Sequence, residues 1–407
     1  MTNPVQQILI VGAGHAGFQC AASLRQEGFD GHIVLIGDEA CLPYQRPPLS
    51  KAYLLGKSAA ADLLFRPARY YDDHRVQHVQ TRVESIDRAA QRVTLQSGES
   101  VPYDHLVIAT GSRPRRLSIP GAELDGVLNL QTLADAEILR QRLQPGRRAV
   151  VVGAGFIGLE FASAARTLGL EVVVVDVAER ALARGASAEC ARVMVEAQAQ
   201  SGVRLQFQCG VAAIDGEHGQ VRAVRTADGQ VLPADLVVVG IGAEARMQLA
   251  VQAGLEVGNG IFVDARLVTS DPHVSAIGDV AAVEHAESGQ RIRLESVQNA
   301  TDQARAVASR LAAKPMPASP VPWFWSDQGA LKLQIAGLRD RDDAHVVLAE
   351  PDSPARTVLC IRGDRLAAVE TINRPADHML ARRLLARRVP VSVQQASAPG
   401  FQLKALI

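Results

Sequence analysis

The dominant pattern along the chain is a short apolar run that ends in a glycine loop and is followed by apolar residues at helical spacing. Gln7 to Val11 is such a run, and GAGHAG follows it with Gly12, Gly14 and Gly17. A helix is predicted to about Gln26, and a second apolar run, His32 to Gly37, ends at Asp38 and Glu39. Together these make one βαβ unit. The pattern recurs as Ala149 to Val152, GAGFIG with Gly153, Gly155 and Gly158, a helix to about Thr167, and Glu171 to Val175 ending at Asp176.

Each copy continues through short strand-like segments, with turns at Ser97-Gly98 and Asp228-Gly229, into a closing strand that ends at glycine. These strands are Asp104 to Gly111 and Ala234 to Gly242, so the first and closing glycines lie 99 residues apart in one copy and 89 in the other. The correspondence reads as a duplication. The segment ending in SAIGDVA (Ser275 to Ala281) has no counterpart inside copy two, nor has the helix predicted from Ser296 to Ala313. Both belong beside copy one, which makes the second copy an insertion into the first. Lys314 to Pro322 (KPMPASPVP) reads as a linker. Beyond it, strand-like runs at Leu331 to Ile335, His345 to Leu348, Val358 to Ile361 and Ala367 to Ile372 precede a helix at Ala376 to Ala386. The predicted class is α/β, with two Rossmann-like dinucleotide-binding domains and an α+β C-terminal domain. Residues 1–112 and 246–320 form the first domain, 113–245 the second and 321–407 the third.

The 407 residues fit two to three domains, and 47% hydrophobic with 21% charged content excludes a disordered or disulfide-scaffold chain. Lys plus Arg and Asp plus Glu balance at 43 each, which gives no global attraction to nucleic acid or to a membrane. Five scattered cysteines without a C-x-x-C pair argue against a zinc site and a redox-active dithiol, and for a reducing compartment. Met1 to Leu24 carries no charge and lacks the basic start of a signal peptide, and no apolar run approaches the length of a membrane span. The expectation is a cytoplasmic protein with no metal, its histidines lacking ligand spacing.

Each glycine motif follows a strand, opens a helix and has an acid 21 (Asp38) or 18 (Asp176) residues beyond its third glycine. Such glycines admit a pyrophosphate to the helix N-terminus, and such an acid accepts from a ribose hydroxyl. Copy one also carries Ala109-Thr110-Gly111 and Gly278-Asp279, which would flank a longer cofactor, with Asp279 available to a ribityl hydroxyl. Alone, that Gly-Asp pair would read as an ordinary turn. Copy one is therefore assigned FAD and copy two the nicotinamide nucleotide. Asp176 accepts a 2′-hydroxyl and repels a 2′-phosphate, so NADH is expected over NADPH, with Arg180 and Arg184 as the nearby cations that weaken the preference.

PYQRPPLSK (Pro43 to Lys51), GAGFIGLE (Gly153 to Glu160), TSDPHVSAIGD (Thr269 to Asp279), RLESVQNATDQAR (Arg293 to Arg305) and PWFWSDQ (Pro322 to Gln328) resemble the NADH-dependent ferredoxin reductases. This family, of palustrisredoxin and putidaredoxin reductase type, serves cytochrome P-450 systems and Rieske-type oxygenases on a glutathione-reductase-like fold. The resemblance implies an FAD site at Gly12, Gly14, His15, Ala16, Gly17, Asp38, Glu39, Arg46, Lys51, Val83, Ala109, Thr110, Gly111, Gly278, Asp279, Glu295, Ser296, Val297 and Trp325. It implies an NAD site at Gly153, Gly155, Phe156, Ile157, Gly158, Glu160, Asp176, Arg184 and Gly242. Lys51 and Glu160 are the implied catalytic pair: a cation beside the flavin stabilises its reduced anion, and a carboxylate holds the cation. Taken alone, Glu160 reads as a helix-surface ion pair. The sequence departs from the family at Gln131, where many relatives carry arginine, at Ala245, where proline is common, and at Asp176, where glutamate is common.

A disulfide would accept both electrons of a hydride together, and none is expected here. The resemblance implies single-electron transfer to an acidic [2Fe-2S] ferredoxin, docking near Trp325, Arg66 and Arg305. Residues 356–407 carry nine Lys and Arg against three acids, a pattern that fits a docking face or a solvated helix equally. Two alternatives stand beside this expectation: an NADH oxidase or peroxidase using Cys41 as a sulfenate, and an FAD- and NADH-binding signalling scaffold.

Overall fold

The computed structural model describes residues 5–285, 289–351 and 353–406. The first four residues of the uncharged stretch Met1 to Leu24 lie outside them. The chain divides into two compact units, one of Met1–Gln45, Ala61–Arg113 and Ala243–Pro320, the other of Arg46–Ala60, Pro114–Gly242 and Val321–Ile407.

In the first unit β1 (Gln7–Val11) leads into α1 (His15–Gln26) and β2 (His32–Gly37), followed by β3 (Val76–Gln80) and β4 (His105–Ile108). A strand from the returning segment, Val274–Ala276, pairs parallel with β4, so the five-stranded order is returning strand, β4, β1, β2, β3. This segment is the SAIGDVA stretch that has no counterpart in copy two. The helix that follows it, Val297–Leu311, packs on α1. Four of the five β1 residues are buried, as are four of the six in β2. Such near-continuous apolar strands belong to a parallel sheet covered on both faces.

The second unit repeats the plan with β5 (Val127–Leu128), α2 (Leu133–Arg142), β6 (Arg148–Val152), α3 (Phe156–Thr167), β7 (Glu171–Val175), α4 (Ala188–Gln200), β8 (Arg204–Gln206) and β9 (Leu236–Val239). Its strand order is β8, β7, β6, β9, β5. The register also repeats: Gln7 faces His32 as Arg148 faces Glu171, and Val11 faces Ile108 as Val152 faces Val239. The C-terminal part forms an antiparallel sheet of β10 (Trp323–Gln328), β11 (Leu331–Gly337), β12 (Ala344–Ala349), β13 (Arg356–Arg362) and β14 (Arg365–Ile372), in the order β10, β11, β14, β13, β12. Helix α5 (Pro375–Ala386) covers it.

The observed partition differs from the sequence expectation in two ways. Residues 321–407 and 114–242 form one unit, and Arg46–Ala60, expected with copy one, belongs to it too. The reason is local packing. The 3₁₀ turn Pro47–Ser50 contacts α2 and α3, and β10 lies on α3.

Candidate functional site

The two glycine loops share one geometry. Gly12 and Gly153 adopt φ of +112° and +110°, and a Cβ on either would lie 2.2 or 2.4 Å from the carbonyl oxygen of Ala109 or Gly240. A Cβ on Gly17 or Gly158 would meet the carbonyl oxygen of Gly12 or Gly153 at 1.8 or 2.1 Å. No side chain fits at these positions. Beside Gly14, in contrast, nothing lies within 4 Å. No side chain caps α1 or α3, whose N-caps are Gly14 and Gly155. Uncapped first-turn N–H groups at the positive end of a helix, reached through a loop without side chains, suit a pyrophosphate.

In the first unit three further segments converge on the loop. Ala109–Gly111 continues β4 past Gly12, and Thr110 Oγ1 donates to the carbonyl of Arg246 at 2.8 Å. Asp279 sits in the 3₁₀ turn Gly278–Val280 and accepts from Ser112 Oγ at 3.0 Å. A Cβ on Gly278 would stand 2.9 Å from that of Ala16, which places this turn against the first turn of α1. Glu39 is half-buried and accepts from the Tyr44 hydroxyl at 2.5 Å, whereas Asp38 is exposed. His15 meets Phe65 edge-on at 4.7 Å, and Val83 lies in the apolar core. Glu295 pairs with Arg293, and Ser296 caps the returning helix, which opens at Val297, by accepting from the Asn299 amide.

In the second unit the acid, the loop and the helix meet similarly. Asp176 accepts from the backbone N–H groups of Ala154 at 2.6 Å and Ala178 at 2.8 Å, which fixes its carboxylate at the glycine loop. Arg180 donates to the carbonyls of Ala181, Ala183 and Ala186, and burial lowers its pKa. Arg184 is exposed, with a guanidinium nitrogen 3.2 Å from where a Cβ on Gly242 would be. Ile157 is 46% exposed on the first turn of α3.

The most elaborate local structure surrounds Glu160. Phe156 and Glu160 lie four residues apart on one face of α3, about 6 Å along the helix, and Phe324 and Ser326 lie two apart on one face of β10, about 7 Å along the strand. The two spacings match. Phe156 meets Phe324 edge-on with centroids 4.7 Å apart, and Ser326 Oγ donates to Glu160 Oε1 at 2.7 Å. On the other oxygen, Lys51 Nζ stands 2.9 Å from Oε2, and Ser50 Oγ donates to it at 2.5 Å. Glu160 is 4% exposed, and such a carboxylate is tolerated only when paired and hydrogen-bonded. Lys51 keeps 20% of its side chain exposed. Arg46 Nη1 donates to the backbone carbonyl of Gln131 at 2.9 Å. Trp325, on the opposite face of β10, lies 5.6 Å from Trp323, over which Arg382 stacks at 4.8 Å.

Sequence reading named Lys51 and Glu160 but missed Ser50 and Ser326. Both serines stand in motifs the sequence offers, Ser50 beside Lys51 and Ser326 within PWFWSDQ, but nothing in the sequence marks either hydroxyl as a partner of Glu160. Among the cysteines, burial pushes the Cys20 thiol up to about 12 and raises those of Cys190 and Cys360 as well, the reverse of what thiolate chemistry needs.

Residues 6–304 match the family described as pyridine nucleotide-disulphide oxidoreductase, and residues 323–407 match the reductase C-terminal family. The chain is 47% identical to rhodocoxin reductase of Rhodococcus erythropolis, over 98% of this chain and 94% of that one. It superposes on the crystal structure of the ferredoxin reductase for the CYP199A2 system from Rhodopseudomonas palustris with a TM-score of 0.95 and 46% identity, covering 99% of this chain and all of that one. It also matches the reductase in the covalent putidaredoxin reductase–putidaredoxin complex, with a TM-score of 0.96, 36% identity and 99% and 98% coverage. These likenesses favour electron transfer over the Cys41 oxidase and scaffold alternatives. The chain belongs to the pyridine nucleotide-disulphide oxidoreductase family, among the FAD- and NAD(P)H-dependent ferredoxin reductases of putidaredoxin reductase type.

Proposed function

We propose that this protein oxidises NADH through bound FAD and reduces a small [2Fe-2S] ferredoxin that feeds a cytochrome P-450 or Rieske-type oxygenase. The observation that carries the reading is the buried Glu160 carboxylate holding the Lys51 ammonium, in a chain with two open, uncapped glycine loops and no C-x-x-C pair. Bound FAD supplies the passage from a hydride donor to one-electron acceptors. On this reading the part containing 1–112 and 246–320 binds FAD, 113–245 binds the nicotinamide nucleotide and 321–407 is the C-terminal domain.

Each residue then has a task. The first turn of α1 receives the FAD pyrophosphate, with His15, Ala16 and the glycines supplying backbone. Glu39 receives the ribose, Asp279 the ribityl chain, and Ala109–Gly111 with Glu295–Val297 wall the site. Lys51, held by Glu160, places positive charge at the flavin, and Arg46 and Trp325 line the ring. Phe156, Ile157 and the first turn of α3 receive the nicotinamide nucleotide. Asp176 takes its adenosine ribose, with Arg184 and Gly242 alongside.

NADH should be preferred over NADPH, because Asp176 is anchored at the loop and Arg180 is committed to backbone carbonyls, which leaves it turned from a 2′-phosphate. We expect kcat/KM to favour NADH by at least about tenfold, worth about 1.4 kcal/mol, and comparable values for the two coenzymes would refute the assignment.

The ferredoxin is expected to be acidic and to meet Trp325, Arg66 and Arg305. Arg66 and Arg305 are exposed on their own unit, and α5 of the other unit carries Arg382 and Arg383. The scattered, odd cysteine set fits a cytoplasmic setting. Among the described residues no helix is long and apolar enough to cross a membrane. The decisive experiment is NADH-driven cytochrome c reduction by the purified protein, with and without a [2Fe-2S] ferredoxin from the same organism. Strong stimulation that weakens steeply with salt is expected. NADH consumption by oxygen or peroxide, unaffected by ferredoxin, would overturn the proposal.

A further inference from the structure

The Glu160 carboxylate accepts more than an ammonium. Its two oxygens are held by hydroxyls from two separate segments, Ser50 in the turn Pro47–Ser50 and Ser326 in β10. Ser326 is fully buried, and Ser50 is 4% exposed. Behind Ser326 the contacts form a closed ring. Gln328 Nε2 donates to Ser326 Oγ at 3.3 Å, Gln198 Nε2 donates to Gln328 Oε1 at 3.1 Å, and the same amide donates to the carbonyl of Leu159 at 2.8 Å. The ring thus runs from Glu160 through β10 and α4 back to the residue preceding Glu160 on α3. Gln328 and Gln198 are 4% and 3% exposed.

This arrangement has a specific consequence for Lys51. Its ammonium is bound by Glu160 at 2.9 Å and by the Pro47 carbonyl at 3.4 Å, so its position follows that of the carboxylate. A glutamate side chain has three rotatable bonds, and one ammonium on one oxygen does not fix the carboxylate plane. A donor on each oxygen does.

We propose that Ser326, backed by Gln328 and Gln198, is a positioning residue for the reductive half-reaction, which fixes the Glu160 carboxylate and through it the place of the Lys51 ammonium. The inference rests on the flavoenzyme reading above. It assigns to the PWFWSDQ segment a role in the chemistry of the Lys51–Glu160 pair, separate from any contact its tryptophans make.

The test compares holoenzyme of the wild type with Ser326→Ala, Ser326→Thr and Gln328→Met. Two quantities are read: the midpoint potential of the bound flavin as a function of pH, by dye equilibration, and the limiting rate of flavin reduction by NADH, by stopped flow. Ser326→Ala is expected to lower the limiting rate about tenfold, with KM for NADH within about twofold, and to lower the midpoint potential throughout the pH series, because a displaced cation stabilises the reduced flavin less. Ser326→Thr, which keeps the hydroxyl, should restore both, and Gln328→Met should move them the same way by less. If Ser326→Ala does not fold, the Thr and Met variants still separate the outcomes. Potential and rate unchanged in Ser326→Ala, or in Gln328→Met should Ser326→Ala not fold, would reduce these residues to packing and overturn the proposal. A wild type that binds no FAD, or whose flavin NADH does not reduce, would instead sink the flavoenzyme reading and this inference with it.

Discussion

At the scale of the residue, the site is organised by what a buried carboxylate requires. Glu160 leaves water at a cost of several kcal/mol unless donors replace the lost hydration, and Lys51, Ser50 and Ser326 do so. The ammonium is the member with reach, since it alone keeps part of its side chain in the open. Lys51→Met keeps the length of the side chain and removes the charge. We expect it to retain FAD and to slow flavin reduction by NADH at least tenfold, about 1.4 kcal/mol of barrier. A stopped-flow rate equal to that of the wild type would remove Lys51 from the mechanism. The pair was legible in the sequence only through the PPLSK and GAGFIGLE motifs. The serines were not, because a hydroxyl carries no period or spacing of its own, and its partner lies 110 or 166 residues away.

At the scale of the element, the glycine loops show why a motif works only in its context. Gly158 belongs to α3 but touches the carbonyl of Gly153, so the helix can begin directly over the end of β6. Gly158→Ala places a methyl group 2.1 Å from that oxygen, and the loop must move. The expected result is a yellow protein that keeps FAD, while the Kd for NADH rises more than about tenfold by titration. A second joint lies where α4 begins. Glu370 of β14 is fully buried and accepts from the amide of Ser187 at 2.9 Å and from its hydroxyl at 2.5 Å, while Arg339 stands 3.5 Å away. Glu370→Leu leaves these donors without their acceptor. Denaturant unfolding should show a loss of about 3 kcal/mol or more, and a loss under about 1 kcal/mol would contradict the account.

At the scale of the whole molecule, stability should depend on two buried histidines. His378 of α5 is 1% exposed against the Trp323 ring at 5.3 Å; burial, then Arg382, lowers its pKa to about 4. Burial, then Arg310, lowers that of His105 to about 3. Between the ordinary value of 6.5 and these values the unfolded chain binds protons that the folded chain does not. Stability is therefore complete above about pH 6.5 and falls as the pH drops through 4 towards 3. His378→Leu should flatten the melting temperature between pH 6.5 and 4. An unchanged slope would show that other groups govern the acid limb.

Much of the molecule follows from local pattern. Apolar runs of strand length, glycines at fixed offsets and the repetition of both 141 residues later determine two βαβ units, their helices and their nucleotide loops. Those features depend on neighbours in sequence, and their physics is short-ranged. What joins distant segments was decided only by tertiary structure. Whether Glu39 or Asp38 is the held acid depends on Tyr44, the direction of Arg180 depends on three carbonyls it happens to reach, and the grouping of Arg46–Ala60 with α3 depends on the turn Pro47–Ser50 packing there. The network around Glu160, the ring together with Ser50 and Lys51, is the extreme case. Its members come from four separate segments, and only a matched rise along α3 and β10, with water excluded, makes them one polar network.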